Sequence, residues 1–215
     1  MTETSPIVNG LVMIHKIITR SLNVALQKCN EYISLKGIPA HEARGYSMYL
    51  ANLKQVTHSH HSSEDEIAFP YFREHIEAPY EQLKDDHNSL AVVLARLDPF
   101  LKEVSFNDLT SLKEVLTEFE KLWFPHIRIE EENFTPDRVN SKSAISDQVR
   151  MVKELSDHGQ KNSGPGPLVL PFFFYNLEGT DREIFMTPFP WILKKFLVPV
   201  VWKGQWKHMA PFLLR

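Results

Sequence analysis

The chain has 215 residues, 43% of them hydrophobic and 24% charged, with a net charge of −3. That composition suits a globular chain of one large domain, or a domain with an extension, and the near-neutral balance gives no reason to expect nucleic acid as a partner. A single cysteine, Cys29, excludes an intrachain disulfide and fits a reducing compartment. Met1 to Pro6 has no basic stretch followed by an apolar run, so it does not read as a secretory signal. No apolar run approaches the roughly 20 residues needed to span a bilayer. The expectation is a soluble, cytoplasmic protein.

Four amphipathic patterns predict four long helices. The first runs from about Val8 to Ser34, ending near Gly37 and Pro39, with a seam of Leu11, His15, Ile18, Leu22, Ala25, Cys29 and Ile33. The second begins at Ala40 to Glu42 and reaches about Tyr71 through Tyr49, Leu53, Val56, His60, Glu64 and Ile67. Pro70 bends or ends it. The third starts near Pro79, a good first-turn proline, and carries Leu83, His87, Leu90, Leu94, Leu97 and Leu101, with Pro99 weakening its last turn. Asn107 or Asp108 caps the fourth, whose seam is Leu109, Leu112, Leu116, Phe119, Trp123, His126 and Glu130. Pro125 inside it forfeits a backbone hydrogen bond, so that turn is shaped at a cost.

After Pro136 the pattern changes. Residues 144–158 predict one more amphipathic helix through Ile145, Val149, Val152 and Leu155, and Asn162 to Pro167 reads as a loop. From Thr187 to Arg215 there is no Asp or Glu, but there are Lys194, Lys195, Lys203, Lys207 and Arg215, with Phe189, Trp191, Phe196, Trp202, Trp206 and Phe212 interleaved. Such a segment can lie on an anionic membrane surface. It can also pack its rings on the protein and leave its lysines in water, and the interrupting prolines favour packing. The expected division is residues 1–136 as an all-α bundle and residues 137–215 as a C-terminal helical or irregular extension packed on it, placed to wall a pocket for an organic substrate.

Each of the four seams carries a histidine where an apolar residue is due. A histidine placed at random lands in a seam about two times in seven. One alone is more often a core residue than a ligand; four in register reverse those odds. In two helices a carboxylate follows four residues later, His60 with Glu64 and His126 with Glu130, one turn along the same face. Such pairs cost desolvation energy in a core unless something binds them, and bundles hold metal sites with inward side chains of this kind. With one cysteine, thiolate zinc and iron–sulfur sites are excluded. Calcium and magnesium want nearly all-oxygen donors. Iron fits best, while manganese or zinc can use the same donors.

The strings His60-His61-Ser62-Ser63-Glu64-Asp65-Glu66-Ile67-Ala68-Phe69-Pro70 and Phe124-Pro125-His126-Ile127-Arg128-Ile129-Glu130-Glu131-Glu132-Asn133-Phe134-Thr135-Pro136 resemble the two HHE-type segments of the hemerythrin-like domain. The resemblance covers roughly residues 8–136. It implies an antiparallel four-helix bundle around two non-haem iron ions, oxo- or hydroxo-bridged. On that basis His15, His60, Glu64, His87, His126 and Glu130 are the ligands, with Glu64 and Glu130 as bridges.

Two departures qualify the resemblance. Oxygen carriers of the family usually offer two histidines one turn apart on the third helix, and here Leu83 stands one turn before His87. The count is then four histidines and two glutamates, unless His61 or His58 adds a donor. Carriers also often use a carboxylate five residues after the last histidine, so Glu130 and Glu131 both remain candidates. A missing ligand opens a second vacancy, which points to activation of dioxygen or peroxide and oxidation of a small organic substrate. The alternative is a non-catalytic oxygen or iron carrier, sensor or store.

Overall fold

A computed structural model describes residues 4–214, and among them every regular element is helical. Helix α1 (Pro6–Leu35) begins on a proline after Ser5, whose hydroxyl also donates to Gln148 at 2.6 Å. It ends at Lys36 in the left-handed region (φ 53°), whose N–H bonds back to the last turn. Helix α2 (Ala40–Ser63) continues through a π-helical turn, Glu64–Ala68, into α3 (Phe69–Arg73). Pro70 therefore does not end the helix. The wider turn before it, closed by the Phe69 N–H on the Glu64 carbonyl, absorbs one residue and changes the register beyond Glu64.

Helix α4 (Tyr80–Ala95) is shorter than its apolar pattern predicts. Leu97 is still buried, but Pro99 forces a single 3-10 turn at Asp98–Phe100 and leaves Leu101 only half-buried. Helix α5 (Leu109–Asn133) runs unbroken through Pro125. Helix α1 packs against α2 and α5, and α4 packs against α5 and α2, so these four helices close a ring.

The core lies in two parts. The larger gathers Ile17, Leu22, Leu53, Leu90, Leu116, Phe119 and Trp123. The smaller gathers Ile7, Phe69, Phe72, Tyr80, Leu83 and Phe134 at the other end. Trp123 from the first touches the His15 and His61 rings, at 5.8 and 5.9 Å between centroids. Phe69 from the second stacks on His87 at 5.5 Å. The polar seam residues form a layer between two apolar masses.

The remaining chain forms α6 (Pro136–Asn140), α7 (Ile145–Asn162), α8 (Gly166–Tyr175), α9 (Gly179–Met186), a π-helical segment (Leu193–Val201), α10 (Lys203–Trp206) and a 3-10 segment (Lys207–Phe212). Helix α7 lies on α1 and α2, and the last segment lies along α2. Val169, Phe172, Trp206, Met209 and Phe212 join the larger core, and Tyr49 donates to Asn176 at 2.7 Å. Residues beyond Pro136 thus pack on the long helices and share their core.

Two expectations on its faces need correction. Ile145 and Val149 are exposed, because α7 turns Gln148 and Met151 inward, with Gln148 accepting the Ser5 hydroxyl. The tail does not bury all its rings either: Trp206 and Phe212 are inside, Trp191 and Phe196 outside. Among the described residues no helix is long and apolar enough to cross a membrane. Cys29 is buried, and its thiol donates to the Leu109 carbonyl at 3.3 Å.

Candidate metal centre

His15 comes from α1, His60 and His61 from the end of α2, Glu64 from the π turn, His87 from α4, and His126 and Glu130 from α5. All seven are buried, none more than 5% exposed. They fall into overlapping groups whose donor atoms lie within 4.8 Å of one another: His15, His60, Glu64 and Glu130; Glu64, His87, His126 and Glu130; and His61, His87 and His126. The two glutamates belong to both four-residue groups. Glu130 turns Oε2 to His15 Nε2 (3.1 Å) and Oε1 to His126 Nε2 (3.3 Å) and His87 Nε2 (3.7 Å). Glu64 Oε2 lies 3.4 Å from His60 Nε2 and 3.6 Å from His87 Nε2.

The cluster is chemically incomplete on its own. His15 Nε2, His60 Nε2, His61 Nε2, Glu64 Oε2 and both Glu130 oxygens are buried without a hydrogen bond. Each unmatched polar atom of this kind costs about 1–3 kcal/mol. His87 Nε2 and His126 Nε2 face each other at 3.2 Å, an approach that needs a proton or a cation between them. Mixed imidazole and carboxylate donors converging in a dry layer fit transition-metal ions.

Two outer ring nitrogens are held from behind. His15 Nδ1 lies 2.9 Å from Glu131 and His87 Nδ1 lies 3.0 Å from Asp65, while His126 Nδ1, 3.7 Å from Asp86, makes no hydrogen bond. Carboxylates behind a metal-binding imidazole fix its orientation and keep Nε2 aimed inward.

Electrostatics pull the neighbours apart. Burial, reinforced by the charges of Glu130 and Asp65, pushes Glu64 well above the usual carboxylate range. Burial acts on Glu130 in the same direction, but His126, His15 and His87 together hold it well below that range. Burial opposes a proton on His15, yet Glu130 and Glu131 raise that imidazole to about 9. His60 and His61 are pushed far down, first by burial and then by neighbouring imidazoles. Without a metal the layer keeps protons where cations belong.

All six residues expected in the seams meet here. His61, which sequence spacing left open, joins them from the position beside His60, whereas His58 is exposed and His75 lies in the turn after α3. Glu130 enters the cluster, and Glu131, 45% exposed, stays behind His15. Leu83 is buried in the smaller core. On the side where Leu83 offers no donor, His61 of α2 lies with His87 and His126. Sequence reasoning missed the π turn and the supporting role of Asp65, whose adjacency to Glu64 was the available signal.

Comparison with curated proteins and with solved structures gives no match. A family model, the hemerythrin HHE cation binding domain, matches residues 7–137, more than half of the chain and every residue of the cluster. The chain belongs to the hemerythrin HHE cation-binding domain family.

Proposed function

We propose that the layer holds two iron ions within an antiparallel four-helix bundle formed by residues 1–136, and that its function is to bind dioxygen or peroxide. The carrying observation is the sharing of Glu64 and Glu130 between two donor groups. His61, His87 and His126 complete one side and His15 and His60 the other, so the His15 side has one protein donor fewer. That side is the one with room for an exogenous ligand. A bound iron pair supplies Lewis acidity and electrons to such a ligand. The protein's own residues orient the imidazoles, through Glu131 and Asp65, and exclude water, through Trp123 and Phe69. Cys29, buried and unpaired, supports a reducing, cytoplasmic setting.

Because His61 takes up the vacancy attributed to Leu83, one open position is favoured over two, and binding over activation. A specific observation still supports oxidation of a small organic substrate. A groove of about 350 Å³ opens beside His15, lined by Lys16, Thr19, Arg20, Asn23 and Glu131 among others, with room for a small polar molecule. Elemental analysis of protein purified without added metal, followed by oxygen exposure of the reduced form, tests both readings. About two irons per chain and oxygen recovered intact under vacuum support binding. Consumed oxygen with hydrogen peroxide or an oxidised product supports the enzyme, and absence of any transition metal refutes the centre.

A further inference from the structure

The C-terminal region has a charge unlike the rest of the protein. From Ile184 to Arg215 there is no Asp or Glu, yet this stretch holds Lys194, Lys195, Lys203, Lys207 and Arg215 in a chain whose net charge is −3. Lys195, Lys203 and Lys207 are exposed, and no ion pair engages them among the described residues.

Around Lys195, and just before Lys203 in the chain, runs an exposed apolar stripe. In a π-helix side chains recur on one face every four to five residues, so Ile192, Phe196, Val200 and Val201 project together from the segment Leu193–Val201 and its first flank. All four are about half exposed, and the adjoining Trp191 is 70% exposed. The opposite side is anchored: Val198 is fully buried, and its carbonyl accepts the Trp206 indole N–H at 2.8 Å. The stripe is therefore the outer face of a fixed element. Apolar residues rarely gather outside unless something covers them.

We propose that this stripe docks the protein on an anionic lipid surface, with Trp191, Ile192, Phe196, Val200 and Val201 entering the headgroup region and the lysines meeting lipid phosphates and carboxylates. A large aromatic ring beside an aliphatic stripe, rimmed by lysines with no acidic residue among them, is the pattern of an interfacial segment. A second copy of the chain is a poorer partner, since two such faces would set their lysines against each other. An anionic surface matches both the apolar stripe and its rim.

The test uses the metal-loaded, full-length protein in flotation assays with phosphatidylcholine vesicles, with and without phosphatidylserine. Flotation is expected only with phosphatidylserine, and high salt should abolish it. Lys195→Gln and Lys203→Gln should each weaken binding about fivefold. Phe196→Ser should weaken it about tenfold or more, while melting temperature and metal content stay at the parent level because these side chains face outward. Failure to float with either vesicle overturns the proposal, as does equal binding to both. A concentration-dependent dimer that Phe196→Ser dissociates also overturns it, by assigning the stripe to a second copy.

Discussion

Glu130 and Glu131, neighbours in sequence, flank opposite nitrogens of one imidazole: Glu130 lies 3.1 Å from His15 Nε2 and Glu131 lies 2.9 Å from His15 Nδ1. A helix turns by roughly 100° per residue, so adjacent side chains cannot share one orientation. Here one enters the cluster and the other closes it from the rim. The pair predicts two different phenotypes. Glu130→Gln should remove at least one metal ion per chain. Glu131→Gln should retain both ions with affinity lowered about 10- to 100-fold, as for other supporting carboxylates. Elemental analysis and competitive chelator titration separate the two, and equal metal loss in both variants would contradict the assignment.

His61→Ala should lower metal content, whereas His58→Ala, three residues earlier and exposed, should leave it unchanged. Leu83→His should not supply a substitute donor, because Leu83 is fully buried among apolar neighbours of the smaller core. An imidazole there lacks a partner and should destabilise the protein by about 1–3 kcal/mol. Thermal melts and metal analysis of the three variants check this. A Leu83→His protein with parental stability would sink it.

The metal-free protein should have a stability maximum bounded on both sides. His60 and His61 have folded pKa values well below the ordinary 6.5 because of burial. The unfolded chain therefore takes up protons that the folded one refuses, and stability falls as pH drops below about 6.5. His15, raised to about 9 by Glu130 and Glu131 against the effect of burial, contributes stability that is complete below 6.5 and lost as pH rises through 9. Loading metal at neutral pH must expel the His15 proton. Calorimetric titration in two buffers of different ionisation heat should show net proton release, and zero release would refute the protonated His15.

Gly45→Ala should loosen the C-terminal region specifically. A methyl group there would meet the His208 carbonyl oxygen at 1.8 Å, and that clash is with backbone. The Lys207–Phe212 segment must shift from α2, at a cost of roughly 1–3 kcal/mol. Limited proteolysis within residues 191–214 should accelerate while metal content persists. An unchanged melt would mean that the segment yields more freely than its packing suggests.

Much of this protein was legible in one dimension. Helices α1, α2, α4 and α5 follow from seams in which every apolar position is spaced for one face. His15, His60, Glu64, His87, His126 and Glu130 stand out because they occupy positions the same seams reserve for apolar side chains. That information is local, since a helix converts spacing directly into direction. The choice between Glu130 and Glu131, and the inclusion of His61, depended on where neighbouring helices stand. Both glutamates reach His15 of α1, at different ring nitrogens, and only the packing of α1 against α5 decides which one is inside. The π turn at Glu64–Ala68 changes the register by one residue, so no periodic reading across it could be correct on both sides. The tail was illegible for a related reason: Trp206 and Trp191 have the same chemistry, and only contacts made in the folded chain, with Tyr175 of α8 and the Val198 carbonyl, bury the first and leave the second in water.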